Sequence, residues 1–553
     1  MSSAVATAGH APQAARPAPQ PVAEVLGSPV PAGALSLEQA VRPFGVTDRG
    51  ITVIDGRHRQ TLSYGELAAR AAAVAEQLRG HGLRPGDRVA ATADNDLDSV
   101  LLLLGIWSAG AAFVSVPRPS RRDTGQFAER FGALLASCGC GFVVDEPGSK
   151  LAALADVAGG PRLIPAAALR DLPGSHRDEP AEIGDLALIQ FTSGSVSAPK
   201  GVAVSPRALA THTHMIGRES GIVPEDRLVS WLPLYHDMGL VAMFLNALYH
   251  RADLVLMSPS AFAFGPSRWL NTVAEERGTY TAAPDFAYRM AAVVPYDAGL
   301  DLSRVRVALC GGERVSSRTM QDFLAATAPF GFRPEALAPV YGLAENVAAV
   351  SAEHDGLVLG PGGHVSAGTP IGGVSIQAPD GLPAGPVRVR SEFLFQGYYT
   401  VDGFDPAPAD GWYDTGDDGF IADGRLYVVG RRAEVASIAG RNVFAEDIEA
   451  AVRDAADLGI RTCAAFRMPG PVQQFGLMAE VQAHAASGPD EIAELGARTR
   501  AAVTDAVGVR LAAVLLVRTA TIPRTPSGKV QRAHCRTLHA EGQLGRRLLS
   551  VTE

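Results

Sequence analysis

An apolar run, Leu186-Ala-Leu-Ile189, passes directly into Gln-Phe-Thr-Ser-Gly-Ser-Val-Ser-Ala-Pro-Lys200-Gly201. The run reads as a buried strand. The loop that leaves it carries Thr192, Ser193, Gly194 and Ser195, then Ser197 and Lys200. Glycine lets the backbone turn its N–H groups inward, and such a nest holds anions. The hydroxyls add neutral donors and Lys200 adds a mobile positive charge. The loop is therefore built to hold phosphate. It is not the loop of the nucleoside triphosphatases, which needs Gly before the Lys and Ser or Thr after it. Here Pro199 precedes and Gly201 follows. Taken alone, the stretch also reads as a polar surface turn, so the rest of the chain has to decide.

The surroundings alternate. The pattern predicts a short helix over 36–46, strands at 51–54 and 60–63 around a turn at Gly56, and a long helix over 64–81. A strand at 88–91 follows, then helix 96–109, strand 112–116, helix 124–137 and strand 141–144. Such alternation favours parallel sheets covered by helices. Residues 159–182 are rich in proline and charge and read as a surface connection. At 553 residues the chain exceeds one ordinary core, so two or more domains are expected. Residues 1–34, rich in Ala, Pro, Gln and Val with almost no charge, read as a disordered tail.

Composition excludes some function classes. With 47% apolar and 19% charged residues the chain is globular, and a net charge of −9 argues against binding nucleic acid through phosphates. The run 99–116 is long and apolar, but Gly105, Ser108, Gly110 and Ser115 interrupt it. It reads as a buried helix and strand, with no membrane span. The five cysteines, Cys138, Cys140, Cys310, Cys463 and Cys535, show neither disulfide nor zinc spacing. They read as reduced and mostly buried, which places the chain in the cytoplasm. His212 and His214 are two residues apart on a predicted helix, share no face, and make a poor metal pair.

Downstream of the loop, chemistry-bearing residues recur at strand ends. Trp231-Leu-Pro-Leu-Tyr-His236-Asp237 opens a helix predicted over 239–249. Asp237 is suited to cap it, and His236 reads either as packed or as a gate beside the phosphate loop. Cys310-Gly311-Gly312-Glu313 follows a strand, where two glycines permit close approach of a flat ring or a sugar. In Tyr341-Gly342-Leu-Ala-Glu345, Tyr341 is suited to stack on a base. Glu345 is suited to hold Mg2+, which takes one or two carboxylates plus phosphate oxygens. Trp412-Tyr-Asp-Thr-Gly-Asp417 and Gly430-Arg431 come next. Beyond them lies a small α/β region with a turn at 440–444, helices at 445–455 and 489–506, and strands at 461–467, 477–482 and 513–517. Ser527-Gly-Lys529-Val-Gln-Arg532 sits near the end.

These stretches, in this order, resemble the adenylate-forming superfamily of acyl-CoA synthetases, fatty acyl-AMP ligases, peptide-synthetase adenylation domains and luciferases. The resemblance spans about residues 36–535, nearly the whole chain. Trp-Leu-Pro-x-Tyr-His-Asp-Met-Gly-Leu, Met257-Ser-Pro-x-Ala261-Phe262 and Ala283-Pro284-x-Phe286-Ala-Tyr288 are closest in wording to fatty acyl-AMP ligases. The resemblance implies an α/β fold: a large N-terminal domain of stacked mixed sheets with helices, at 35–431, and a small mobile C-terminal α+β domain, at 432–553. It implies an ATP- and Mg2+-dependent ligase that converts an acid to acyl-AMP, releases pyrophosphate and passes the acyl group to a thiol. In that scheme Thr192, Ser193, Gly194, Ser195, Ser197 and Lys200 cradle phosphates. Gly311, Gly312, Glu313, Tyr341 and Gly342 line the adenine site. Asp417 holds the ribose, Arg431 makes a second ribose or a phosphate contact, Glu345 holds Mg2+, and Lys529 is carried across the cleft to the carboxylate and α-phosphate. His236 stands beside the reacting groups, and Phe262, Ala283, Pro284 and Phe286 line the acid pocket.

Several positions depart from the pattern. Val196 replaces a phosphate-binding Thr, and Ala433, followed by Glu434, stands at a hinge that is usually Asp or Lys. The 350–366 stretch shows no identified counterpart of the extra segment usual in fatty acyl-AMP ligases. Arg289 is unexpected beside a lipid tunnel. The acceptor is expected to be the phosphopantetheine of an acyl carrier protein, with coenzyme A as the alternative. An aryl, small or inorganic acid such as nitrite, captured by an amine, is a second reading. A weakened module that only docks a carrier is a third.

Overall fold

The computed structural model describes residues 21–31, 36–41, 48–118, 126–156, 159–175, 180–192, 199–438, 441–455, 458–470, 473–482, 488–525 and 528–552. Among these, three large sheets and a four-stranded sheet carry the fold. The nine-stranded sheet places strands 307–310, 280–283, 227–230, 253–257 and 50–55 side by side and parallel, with 337–342 parallel to 307–310 at one end. The eight-stranded sheet has a parallel half (188–192, 112–115, 88–91, 142–145, 162–165) and an antiparallel half (200–204, 397–400, 403–406). A five-stranded sheet is antiparallel throughout, in the order 22–26, 374–379, 385–391, 413–422, 425–431.

The helices form where local signals agree with packing. Helix Tyr64–Gly80 starts at a capping box, in which Ser63 and Glu66 satisfy each other's orphan donors. Its Leu67, Ala71, Val74 and Leu78 recur at three- and four-residue spacing and are buried. Helix Leu97–Ser108, capped by Asp96, has mostly apolar residues all round and is largely buried. Gly105 brings it close to its neighbour, since a Cβ there would lie 2.5 Å from Val74 Cγ1.

Two apolar cores lie on either side of the region near Arg431. One runs from Leu37 to Leu426; another, from Ala436 to Leu516, fills the C-terminal part. A small cluster of Phe420, Tyr427, Val429 and Phe444 joins them. The C-terminal part is α+β, with helices Ala445–Asp454, Pro489–Val507 and Arg532–Ala540 around strands 460–467, 475–481, 513–517 and 548–552.

Four expectations are corrected. Within the 1–34 tail, Val22–Leu26 is a strand paired to 374–379, with Ala23 and Val25 turned onto the core and Val22 and Leu26 65% exposed. Its two-residue alternation is too short to stand out without its sheet. Inside the expected surface connection, Arg162–Pro165 extends the eight-stranded sheet. The expected turn at 440–444 is, from Arg441 to Phe444, a strand paired with Val435–Ile438. The helix after Asp237 is present, but its first part, Met238–Leu245, is π-wound before α-helix Asn246–His250. Gly239 packs there against the preceding segment, where a Cβ would lie 2.1 Å from Pro233 O. Such windings concentrate at functional sites.

All five cysteines are buried and free. Among the described residues no helix is long and apolar enough to cross a membrane.

Candidate active site

The parallel strands 280–283, 307–310 and 337–342 end together, and ligands in open α/β sheets bind beyond such carboxyl ends. At these ends lie Ala283-Pro284 and Gly311-Gly312, with Tyr341 just past the last parallel pair, Cys310 and Pro339. The loop bearing Lys529 comes from the C-terminal part and reaches this rim: a Cβ on Gly312 would lie 3.7 Å from Lys529 Nζ. Gly312 also holds φ +79°, a conformation that disfavours side chains. Burial lowers the Lys529 pKa, while Asp237, Glu313 and Asp417 raise it and Arg431 lowers it further. These four charged groups are thus the ones whose fields act on the amine. Desolvation is the largest of these effects, and the neighbouring carboxylates oppose it.

Asp417 is the best-fixed of these groups. Its Oδ1 lies 2.8 Å from Arg431 Nε and its Oδ2 accepts from the Tyr341 hydroxyl at 2.5 Å. Burial raises its pKa, and Arg431 and Tyr341 oppose that rise. The carboxylate is 5% exposed, so a hydroxyl pair meeting it would find an oriented acceptor in a poorly hydrated place. The sheet sets this geometry, because Asp417 and Arg431 are direct partners across adjacent antiparallel strands. Sequence reasoning put Tyr341 under a base; the structure adds its hydroxyl bond to Asp417.

Glu345 sits beside a phenol relay that the sequence reading missed. Tyr398 donates to its Oε1 at 2.5 Å, and the Tyr398 and Tyr413 hydroxyls are 2.7 Å apart. Lys200 Nζ lies 4.6 Å from the Tyr398 ring centroid, a cation–π distance. Lys200, Tyr398 and Glu345 thus form one column, and Glu345 is also among the charges that act on Asp417 and Arg431. The sequence offered Tyr398 beside Tyr399 on strand 397–400 and Tyr413 inside the Trp412–Asp417 stretch, but nothing in it paired Tyr398 with Tyr413. A single carboxylate in this position fits Mg2+ that keeps waters and phosphate oxygens. It does not make a protein cage, and no group of three metal-capable side chains occurs among the described residues.

His236 Nδ1 lies 2.6 Å from Asp237 Oδ1, and that carboxylate also accepts from the Met238 N–H. Burial pushes the Asp237 pKa up, but His236 and Lys529 outweigh it and bring it down to about 2. Glu313 accepts from the Phe286 N–H at 2.7 Å and so supports the start of helix Asp285–Val293. Gly311 and Gly342 are small for packing: Cβ atoms there would lie 2.5 Å from Val340 Cγ2 and 2.2 Å from Ala348 O. Ser193, Gly194, Ser195 and Ser197, with Val196, lie outside the described residues. Thr192 pairs with Lys200 at the neck of that loop.

The expected acid pocket is aromatic. Phe262 stacks on Trp231 with centroids 4.0 Å apart, and Phe286 meets both edge-on at 6.2 Å. Ala283 is fully buried at the end of its strand, and Pro284 starts the helix that carries Phe286. Arg289 points to Asp285, 3.7 Å away, which removes the oddity of an arginine near an apolar pocket. Two ion pairs join the C-terminal part to this rim: Arg314–Asp447 at 2.6 Å and Arg318–Asp454 at 3.8 Å.

A large α/β body, a small α+β domain and a lysine brought to a carboxylate-lined rim define a class: enzymes that attach AMP to an acid. The chain belongs to the AMP-binding enzyme family, whose pattern matches residues 45–399. It is 31% identical over 546 residues to the long-chain-fatty-acid–AMP ligase FadD26 of Mycobacterium tuberculosis, covering 86% of this chain and 91% of that one. It is 31% identical over 539 residues to a 4-hydroxyphenylalkanoate adenylyltransferase of Mycobacterium marinum, covering 86% and 85%. A solved structure from work on fatty acyl-adenylate ligases of E. coli and L. pneumophila superposes with a TM-score of 0.80 at 27% identity, covering 92% of this chain and 98% of that one. The protein is accordingly an ATP-dependent, adenylate-forming enzyme.

Proposed function

We propose that this enzyme activates a fatty-acid-like carboxylic acid as its acyl-AMP and passes the acyl group to the phosphopantetheine thiol of a carrier protein. The observation that carries the reading is Lys529, drawn from a separate domain to a rim shared with Asp237, Glu313, Asp417 and Arg431. A fatty acid–AMP ligase and an arylalkanoate adenylyltransferase among the relatives support the choice of an organic acid. The body is taken as 35–431 and the lid as 432–553.

The chemistry follows from the charges. A carboxylate oxygen attacks the α-phosphorus of ATP, the bond to the β-phosphate oxygen breaks, and pyrophosphate leaves. Negative charge spreads over phosphoryl oxygens, so positioning and fixed cations do most of the catalysis. Lys200 would draw the β- and γ-phosphates, and Lys529 would bridge the attacking carboxylate and the α-phosphate. Asp417 would accept from the ribose hydroxyls while Arg431 and Tyr341 hold it. Mg2+, when bound through Glu345 and phosphate oxygens, would neutralise part of the triphosphate charge. Transfer to a thiol requires the lysine to leave, and the Arg432–Glu434 turn, containing Ala433, is the proposed hinge.

Pyrophosphate exchange into ATP, run with a panel of acids, tests the reading. Acid-dependent exchange with an acyl-AMP product supports it; no exchange with any acid and no ATP binding overturns it. Incubation of the acyl-AMP with carrier protein or with coenzyme A then decides the acceptor.

A further inference from the structure

The turn that joins the two parts of the molecule is gripped from both sides. Arg431 Nε lies 2.8 Å from Asp417 Oδ1. Arg432 donates to Asp418 at 2.9 Å and to both oxygens of Asp414 at 3.0 and 3.1 Å. All three carboxylates stand on strand Tyr413–Ala422 of the larger part. Glu434 bonds the other way: its Oε2 accepts from Arg532 Nη1 at 2.5 Å, within the C-terminal part. Ala433, with no polar side chain, lies between the two grips. A change of backbone angles at Ala433 would leave both sets of ion pairs whole.

Arg532 holds more than Glu434. It also donates to Glu449 through Nε at 2.7 Å and Nη2 at 2.9 Å, and its Nη1 lies 3.0 Å from Glu446 Oε1. Glu449 stands on helix Ala445–Asp454 and also accepts from the Ala465 N–H at 3.0 Å. Arg532 opens its own helix close behind Lys529. The lysine loop is tied back on itself: the Thr525 N–H donates to Lys529 O at 2.8 Å, the Lys529 N–H to Thr525 Oγ1 at 3.1 Å, and the Gln531 N–H to Pro523 O at 2.9 Å. Before the loop, Glu480 accepts from the Thr521 and Ile522 N–H groups, each at 2.8 Å. The loop is thus anchored to buried carboxylates at both ends, and the anchor at Arg532 also reaches the hinge.

We infer that Arg532 is a positioning residue for adenylation: through Glu434 it fixes the Lys529 loop to the far side of the hinge, so that lysine and hinge move as one body. A planar guanidinium holds several carboxylates in fixed directions, which the point charge of a lysine does not. The precision matters, because an error of about 1 Å at a reacting group can cost on the order of a hundredfold in rate. This deepens the acid–AMP ligase reading and rests on it.

The test is a double-mutant cycle read by pyrophosphate exchange. Glu434→Gln keeps the side chain's shape, removes its charge and leaves Arg532 on Glu446 and Glu449. In the wild-type background it is expected to lower kcat by roughly ten- to a hundredfold. KM for ATP and for the acid should move by no more than about twofold. In the Lys529→Ala background it should have no further effect on the residual exchange, because groups that act through one another are not additive. The same loss in both backgrounds is the mark of general damage to the fold and overturns the inference. A normal rate for Glu434→Gln in the wild-type background overturns it too. Should Glu434→Gln not fold, Arg532→Lys, which keeps the charge and loses the fork, takes its place in the cycle with the same outcomes. Acid-dependent exchange by the wild-type enzyme alongside a failed cycle sinks this inference and leaves the ligase reading standing. No exchange by the wild-type enzyme with any acid sinks that reading itself, and this inference with it.

Discussion

The two walls of the cleft are held by different forces. On the side proposed for the nucleotide, charged groups meet partners of opposite charge or strong donors: Asp417 lies between Arg431 and Tyr341, Glu345 beside Tyr398, Asp237 against His236. On the side proposed for the acid, Trp231, Phe262 and Phe286 are held by ring contacts, and among the described residues the Trp231 indole N–H has no partner. Oriented charges cost little reorganisation when negative charge develops, so they suit a step common to every acid. Dispersion and hydrophobic contact are non-directional and tolerate many skeletons.

That contrast can be broken by experiment. Lys529→Ala should have the largest effect, lowering adenylation by ~10²–10³-fold, as for removal of one preorganised donor. The loss should be the same for every acid, with the melting temperature little changed. A normal exchange rate would remove the role given to Lys529. Asp417→Asn should lower kcat/KM for ATP by about ten- to a hundredfold, because it takes the charge from a buried pair. If its effect varied with the acid, the two walls would not be separable. Phe262→Leu loses the stack on Trp231, a contact worth ~0.5–1.5 kcal/mol beyond area burial. It should alter KM for the acid by up to about tenfold and leave KM for ATP alone.

The smallest effect is expected away from both walls. Glu434, Glu446 and Glu449 crowd around Arg532 just past the proposed hinge, and among the described residues Glu446 Oε2 has no hydrogen-bond partner. Burial, together with Glu434 and Glu449, lifts the Glu446 pKa from 4.5 to about 7 against the pull of Arg532. A carboxyl whose folded pKa is raised contributes stability below its unfolded value, and that contribution is lost as pH rises through about 7. Glu446→Gln should flatten the fall of melting temperature between these values, measured by thermal scans across the range. An unchanged slope would show that Glu446 does not titrate there.

Elements with strong local signals were legible without a fold. Strands 88–91 and 513–517 are bounded as their apolar runs predict, and helix 64–80 follows its period and its cap. Strands 22–26, 162–165 and 441–444 were not, because each exists by pairing with a distant or unremarkable partner. Strand propensity depends on that context far more than helix propensity does. At the site, Lys200, Glu345, Asp417, Arg431 and Lys529 stood out through motif order. Tyr398 did not, since a tyrosine in a strand has no chemistry until its neighbours are known.

Sequence alone determined which chemical groups are present, their order, and the α/β alternation that carries them, because periodicity and turn chemistry act over a few residues. Only the tertiary structure decided which of those groups meet. Asp417 pairs with Arg431 across two strands, Tyr341 reaches it from another sheet, and Lys529 arrives from a second domain. Hydrogen bonds and burial depend on distances of a few ångströms between segments hundreds of residues apart, and those distances are set by packing, not by spacing along the chain.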